Sequence, residues 1–287
     1  MPRIAYVNGR YERHAEAAIH VEDRGYQFAD GVYEVCEVAR GQIMDMTRHL
    51  DRLERSLSEL RIGWPVARRA LQMVMVEVVR RNRVENGLVY LQVTRGVAPR
   101  DHYFPAPGTP PSLVVTAKRS DPAAAARRVS QGVRVITVPE NRWERVDIKT
   151  VGLLPNVLAR QQARDAGAAE AWFVDPDGTV KEGASTNAWI VTKDGRLVTR
   201  PAETGILRGV TRATVMDVAQ KLGIEVEERA FTVDEAKAAR EAFITAATTV
   251  VMPVVAIDGA SVANGHPGEV TLSLREAFFD VAEKTPA

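Results

Sequence analysis

The 287-residue chain has little cysteine, almost no net charge and no long apolar run. Its one cysteine, Cys36, excludes an internal disulfide and a cysteine-based zinc cluster, and we expect no metal site. The 38 Lys and Arg residues nearly balance 37 Asp and Glu residues, so a net charge of +1 gives no field for nucleic acid or an anionic membrane. The chain also lacks an apolar stretch of about 18 residues and an apolar signal core at its amino terminus. We therefore expect a soluble, cytoplasmic protein with no nucleic-acid or membrane partner.

Strand and helix patterns alternate along the chain, which predicts an α/β (α+β) protein. Residues 47–60 are predicted to form a helix, because Leu50, Leu53 and Leu57 recur at helical spacing. These leucines form an apolar stripe, and we expect the helix to cover a sheet with it. Cys36 lies in an alternating strand pattern, so we expect a packed thiol rather than a nucleophile. The other elements of this first part are predicted as strands at 31–39, 42–46, 89–94 and 112–117 and a helix at 66–81.

A change of composition predicts the domain boundary, because Asp121 and Pro122 precede four alanines. We assign 1–118 to an N-terminal α/β domain, 119–128 to an interdomain connection and 129–287 to a C-terminal α/β domain that carries Lys149. The last residues, 283–287, are expected to fray. The second domain is predicted to contain strands at 133–138, 171–174, 187–191 and 196–199, helices at 156–167 and 213–222, and turns at 175–178 and 194–195.

Lys149 and Glu182 are the pair of residues that most strongly indicates chemistry. A lysine amine condenses with an aldehyde cofactor, and a pyridoxal ring becomes an electron sink when an acid or base partners its ring nitrogen. Glu182 precedes Gly183 and the small polar run 184–187, on a predicted connection between strands. The two residues together predict an imine-forming lysine and an acid that tunes the imine.

Two segments could hold the phosphate of such a cofactor. Residues 205–212 precede a helical pattern, so their N–H groups lie at a helix start, where Gly209 permits close approach and Thr211 could cap the helix. Residues 245–249 follow a strand pattern and offer small residues and hydroxyls, among them Thr248. Arg52, on the polar side of the first helix, could supply a permanent positive charge, although solvation is the default for an arginine there.

These pieces together resemble the fold-type IV pyridoxal phosphate enzymes (class IV, like the branched-chain aminotransferases), and most closely the D-amino-acid aminotransferases. The opening signature of that family is similar to residues 22–34, and its helix with a phosphate-binding arginine is similar to 49–53. Lys149, Glu182 and the turn 207–212 follow in the family's order. The resemblance covers nearly the whole chain and implies the two-domain fold of that family.

The resemblance implies a role for each matched position. Lys149 would hold the aldehyde of pyridoxal 5'-phosphate as an imine and shuttle a proton between the substrate α-carbon and the cofactor C4' carbon. Glu182 would keep the ring nitrogen protonated, and Leu207 would pack against the ring face. The phosphate would be held by Arg52, Thr248, the close approach at Gly209 and the amides of Val210 and Thr211.

The loop 99–102 is similar to one that traps the substrate carboxylate in D-amino-acid aminotransferases. There the loop reaches into the active site of the neighbouring subunit, which implies a homodimer. Arg100 and His102, with Tyr33, would bind the α-carboxylate of a D-amino acid. Transamination between a D-amino acid and a 2-oxo acid, of the D-alanine and 2-oxoglutarate type, is therefore expected.

Some positions depart from the family's pattern, and three alternatives stay open. Close relatives often carry asparagine where this chain has Gly152, and the run after the glutamate is Ala184-Ser185-Thr186 rather than all serine. These changes leave the imine chemistry intact. The alternatives are a branched-chain L-amino-acid aminotransferase, an aminodeoxychorismate lyase, and a non-catalytic binding or scaffold protein of the same fold. Retention of Lys149, Glu182 and Arg52 argues against the last.

Overall fold

The computed structural model describes residues 3–203 and 205–287, which form two compact units. The first unit contains the described residues up to Asp121, together with Ile148–Gly152 and Glu283–Ala287. The second contains Pro122–Asp147 and the described part of Leu153–Ala282. Within the described residues, no helix is both long and apolar enough to cross a membrane.

The first unit is an antiparallel sheet of seven strands covered by helices. Its order is β16-β4-β3-β5-β6-β1-β2, where the strands are β1 (Ile4–Val7), β2 (Arg10–Arg13), β3 (Gly31–Ala39), β4 (Gln42–Met44), β5 (Gly87–Thr94), β6 (Ser112–Arg119) and β16 (Lys284–Pro286). The helices are α1 (Arg24–Phe28), α2 (Met46–Glu59) and α3 (Arg68–Arg81). The leucine stripe of α2 is buried with Cys36 and with apolar residues of α3 and the sheet, so the expected packed thiol and covering helix are confirmed.

The second unit contains a mixed sheet of nine strands. Its strands are β7 (Val133–Pro139), β8 (Glu170–Val174), β9 (Val180–Gly183), β10 (Asn187–Val191), β11 (Leu197–Thr199), β12 (Val226–Glu228), β13 (Glu241–Ala246), β14 (Val250–Ile257) and β15 (Ala260–Ser261). Along the sheet the order is β12-β11-β10-β13-β14-β7-β8-β9, with β15 on β14. Its helices are α4 (Pro122–Gln131), α5 (Leu154–Asp165), α6 (Val210–Lys221), α7 (Val233–Ala238) and α8 (Glu269–Val281). The expected α/β fold, the hairpin of β8 and β9 and the strand pair β10 and β11 are confirmed.

Three parts of the predicted layout differ in the structure. Most of the predicted connection 119–128 is helix α4, because Pro122 suits the first position of a helix and alanine has the highest helix propensity. The lysine segment packs with the first unit, rather than with 129–287, because Tyr33 N–H donates to Lys149 O at 3.0 Å and Val151 N–H donates to Gly31 O at 3.0 Å. The carboxyl end does not fray, since β16 pairs with β4.

Candidate functional site

Lys149 lies beside the phenol of Tyr33 in the first unit. The backbone hydrogen bonds to β3 fix the lysine segment next to the start of that strand. The Nζ atom of Lys149 lies 4.3 Å from the ring centre of Tyr33, and that ring stacks on Tyr90 with 5.7 Å between centroids. Lys149 and Tyr33 are both half-buried, so an amine and a phenol stand together at an accessible place. An amine that remains accessible can attack an aldehyde.

The side chain of Arg52 is bound by the buried carboxylate of Glu34 and is not solvated. Arg52 Nε donates to Glu34 Oε1 and Arg52 Nη2 donates to Glu34 Oε2, both at 2.7 Å, while His49 Nδ1 lies 2.7 Å from the second oxygen. Burial opposes the charge of Glu34, but Arg52 and the hydrogen bonds from Arg52 and His49 lower its pKa to about 2. The Arg52 side chain is 10% exposed, so the default of a solvated arginine is wrong. This pairing holds the Arg52 guanidinium in one orientation, from which it could donate to a phosphate.

The predicted carboxylate loop is exposed and gathers around Phe28. Arg100 lies 5.1 Å from the Phe28 ring centre, and the His102 ring centroid is 5.5 Å from it. Arg24 Nη1 donates to Asp101 O at 2.7 Å and so ties the loop to α1. Within 3–203 and 205–287, no hydrogen bond or ring contact joins Tyr33 to Arg100 or His102. The structure therefore does not bring the three predicted trap residues into contact with one another within one chain.

Glu182 is buried in the second unit and accepts hydrogen bonds from Arg142, Asn187 and Leu207. Arg142 Nη1 donates to its Oε1 at 2.7 Å, and Asn187 Nδ2 and Leu207 N–H each donate to its Oε2 at 3.1 Å. Arg142 also pairs with Glu140 at 2.6 Å, and its guanidinium lies 4.3 Å from the Phe173 ring centre. The glutamate lies within β9, not on the predicted connection between strands, because β9 runs to Gly183 and pairs with β8. A carboxylate fixed in this way suits a protonated ring nitrogen.

Asn187 links Glu182 to the predicted phosphate segment. Its Nδ2 also donates to Leu207 O at 3.0 Å. A Cβ atom at Gly209 would lie 2.0 Å from Asn187 Oδ1, so only glycine fits this close approach. The half-buried Leu207 and Gly209 are thereby held next to the acid. The donor set and this close approach fit a planar ring that carries a phosphate.

The start of α6 offers anion-binding donors. Gly209 is the N-cap, and the N–H groups of Val210 and Thr211 belong to the first turn, where helix geometry provides no carbonyl partner. Thr211 is buried within that turn, so the expectation that it caps the helix is wrong: the cap position falls two residues earlier. Thr248 lies in the exposed turn between β13 and β14, and α6 packs against β13. Backbone donors and a hydroxyl in this unit can serve a phosphate.

Sequence reasoning missed three residues that hold the predicted ones in place. Glu34 and His49 fix Arg52, and Arg142 fixes Glu182. A signal for Glu34 was present, since a carboxylate occupies an inward-facing position between Val32 and Cys36 on an alternating strand. Arg142 lies in an irregular segment, and no periodic pattern distinguishes it from the neighbouring Arg145.

Comparison with known proteins gives consistent results. The family model for amino-transferase class IV matches residues 31–257. The D-alanine aminotransferase of Bacillus licheniformis is 40% identical over 94% of each chain, and that of Staphylococcus haemolyticus is 38% identical over 95% of each. Among solved structures, a T.th. branched-chain amino acid aminotransferase with pyridoxamine 5'-phosphate has a TM-score of 0.90 at 29% identity, and covers 98% of this chain and 94% of that one. The Escherichia coli branched-chain enzyme has a TM-score of 0.89 at 25% identity, and covers 98% and 95%.

The expected family is confirmed by a family model that spans most of the sheet-forming sequence and by relatives that align almost end to end. The order of Lys149, Glu182 and the turn before α6 falls inside the matched range. The chain belongs to the class IV aminotransferase family.

Proposed function

We propose that this aminotransferase uses pyridoxal 5'-phosphate to transfer the amino group of a D-amino acid, of the D-alanine type, to a 2-oxo acid such as 2-oxoglutarate. The observation that carries the proposal is the alignment with D-alanine aminotransferases at 38–40% identity over 94–95% of the chain. A branched-chain relative of known structure was solved with pyridoxamine 5'-phosphate, which supports the choice of cofactor. Lys149, Glu182 and Arg52 provide the groups that such a cofactor requires.

The proposal assigns a role to each site residue. Lys149 Nζ would bind the cofactor aldehyde and would carry a proton between the substrate α-carbon and the cofactor C4' carbon. Glu182 would hold the proton on the ring nitrogen, and Leu207 would pack against the ring. The phosphate would be bound by Arg52, Thr248 and the amides of Val210 and Thr211, with Gly209 allowing close approach. When bound, the cofactor supplies the electron sink.

Preference for a D-amino acid follows from two fixed substituents of the α-carbon. Arg100, His102 and Tyr33 bind the carboxylate, and Lys149 requires the C–H bond to face its amine. Once the positions of the carboxylate and the hydrogen are fixed, the side chain of each enantiomer can point in only one direction. The L-enantiomer would place its side chain where Arg100 and His102 bind a carboxylate and would leave their charges unpaired, at a cost of roughly 2 to 5 kcal/mol.

A branched-chain L-amino-acid aminotransferase is the second candidate. The solved neighbours at 25–29% identity are branched-chain enzymes, so the fold alone does not separate the two reactions. The relatives of 38–40% identity and the Arg100 and His102 pair favour the D-amino acid.

An assay with both enantiomers of alanine, glutamate and leucine tests the function. We expect D-alanine and D-glutamate to donate their amino group to 2-oxoglutarate or pyruvate far faster than the L-forms, because only one hand satisfies the trap and the amine together. The Lys149→Ala variant gives the background rate of the assay. Faster turnover of L-leucine than of every D-substrate would replace the D-amino-acid proposal by the branched-chain one.

The assignment of Lys149 has a separate chemical test. Borohydride reduction of the yellow protein should fix the cofactor to the peptide that contains Lys149, because its amine binds the aldehyde. Lys181, which pairs with Asp175 at 3.3 Å in the second unit, is the matched control, and Lys181→Ala should be labelled as the wild type is. A label recovered on another lysine would contradict the assignment.

We also propose a homodimer in which the loop of Arg100 and His102 completes the active site of the partner. Support comes from their exposure and from their lack of contact with Tyr33 among the described residues.

A further inference from the structure

The turn between β13 and β14, which carries Thr248, has an uncommon backbone. The hairpin closes through Thr249 N–H, which donates to Ala246 O at 3.1 Å, and Ala246 pairs with Val250. Val250 has φ 57°, in the left-handed region that β-branched residues rarely adopt. This position follows a β-turn in a hairpin, where glycine is the usual residue. Something outside the turn must hold Val250 in this conformation.

Arg275 on α8 supplies that outside support. Its Nη1 donates to Thr249 O at 2.6 Å and to Val251 O at 2.7 Å, the carbonyls on either side of Val250. Val250 itself is 1% exposed, so its side chain is locked in the core while its backbone is held by the guanidinium. The guanidinium of Arg275 therefore binds the backbone on both sides of Val250, the residue in the left-handed conformation.

Helix α8 is fixed to the other end of the same hairpin. Glu241, the first residue of β13, accepts hydrogen bonds from Thr271 N at 2.8 Å and Thr271 Oγ1 at 2.7 Å. The start of α8 is therefore tied to the beginning of β13, and Arg275, just over one helical turn later, is tied to the tip of the hairpin. The helix supports the hairpin along its length, and this leaves the turn little freedom to change conformation.

We propose that Arg275 is a positioning residue for the cofactor phosphate: it holds the 247–250 turn in the conformation that presents the Thr248 hydroxyl. The inference rests on the proposed function, in which Thr248 binds that phosphate. Arg275 itself donates to backbone carbonyls and is assigned no contact with the cofactor. Loss of Arg275 should therefore weaken the binding of the phosphate group alone. It should have no effect when residue 250 can adopt the left-handed conformation without support.

The test measures the binding of two compounds to the full chain freed of cofactor: pyridoxal 5'-phosphate and pyridoxal, which has no phosphate. Arg275→Met keeps the methylene stem and removes the donors. We expect it to weaken pyridoxal phosphate binding about tenfold, the scale of one charge-assisted hydrogen bond, and to leave pyridoxal unchanged. Glu276→Gln, at the next and exposed position of α8, should change neither.

Rescue by glycine separates positioning from a general loss of structure. Val250→Gly in the Arg275→Met chain should restore most of the lost affinity, because glycine adopts positive φ without support. Wild-type affinity for pyridoxal phosphate in Arg275→Met would overturn the proposal, as would an equal loss for both compounds that glycine does not reverse. If Arg275→Met does not fold, the double variant decides: binding of the phosphate compound near the wild-type level supports the proposal, and loss of the phosphate preference overturns it.

Thr248→Ala distinguishes failure of this inference from failure of the proposed phosphate site. If Thr248→Ala loses the preference for the phosphate compound and Arg275→Met keeps it, the phosphate site stands and the role of Arg275 is wrong. If the wild type binds both compounds equally, the phosphate site is wrong and the role of Arg275 is wrong with it.

Discussion

At the scale of single residues, Glu182 is defined by the donors around it. Arg142 balances its charge, and Asn187 and Leu207 N–H fix its second oxygen. A buried carboxylate with such partners is held in one orientation, which is what a group that must keep a proton on a ring nitrogen requires. In the proposed function, Arg142 would therefore act on the chemistry through Glu182.

Replacing Glu182 with Gln should leave the cofactor bound and slow amino transfer strongly. A neutral amide cannot stabilise a protonated ring nitrogen as a carboxylate does, and the loss is on the order of 1.5 to 3 kcal/mol. Single-turnover absorbance changes measure the rate of the half-reaction. Glu225→Gln, an exposed position in the same unit, is the control and should react as the wild type does. An unchanged rate in Glu182→Gln would contradict the role given to this residue.

At the scale of elements, the Glu34 group ties strand β3 to helix α2. Glu34 lies on the strand, whereas His49 and Arg52 lie on successive turns of the helix, so one carboxylate fixes the position of both elements. The usual carboxyl pKa of 4.5 falls to about 2 in the folded chain. A lowered folded pKa stabilises the protein above pH 4.5, and the stabilisation is lost as the pH falls from 4.5 through about 2.

The pH dependence of stability should therefore shrink in Glu34→Gln. We expect the wild type to lose roughly 2 kcal/mol of unfolding free energy between pH 6 and pH 3, and the variant to lose less. Urea unfolding at pH 6 and pH 3 measures the difference. Glu77→Gln is the control: Arg80 and Arg81 also lower its pKa to about 2, but its partner Arg80 is exposed, where solvent screens the pair. Equal pH dependence in Glu34→Gln and the wild type would contradict this role of the carboxylate.

The elements also mark how far sequence reasoning extends. Strand β3 and the stripe of α2 follow from local periodicity, because alternation and helical spacing are carried by neighbouring residues. Strand β16 does not, since it depends on pairing with β4, more than 200 positions away. The site divides in the same way. Short motifs predict Lys149 and Glu182 as site residues, but Arg142 and the support of Val250 by Arg275 appear only when distant segments pack.

At the scale of the whole molecule, the predicted carboxylate trap has one part beside Lys149 and one part on an exposed loop. Tyr33 contacts the lysine amine, whereas Arg100 and His102 gather on Phe28. Three groups that bind one carboxylate must meet, and a second copy of the chain can provide the loop. In a two-fold dimer each subunit would then supply its loop to the other.

Mixing two inactive chains tests whether the loop acts in the partner. Lys149→Ala lacks the amine and Arg100→Ala lacks the trap, but a mixed dimer contains one site that takes Lys149 from one subunit and Arg100 from the other. Random exchange places half of the subunits in mixed dimers with one intact site each, so activity should recover to at most about a quarter of wild type. Lys149→Ala mixed with Tyr33→Phe is the matched control, because Tyr33 lies 4.3 Å from the lysine of its own chain and no mixed site would contain both. Recovery in the first mixture alone supports a loop that acts in the partner. No recovery in the first mixture, despite subunit exchange measured by mass, would mean that Arg100 acts within its own chain or not at all. Equal recovery in both mixtures would mean that the activity does not come from a site shared between subunits, and it would contradict the proposal as well.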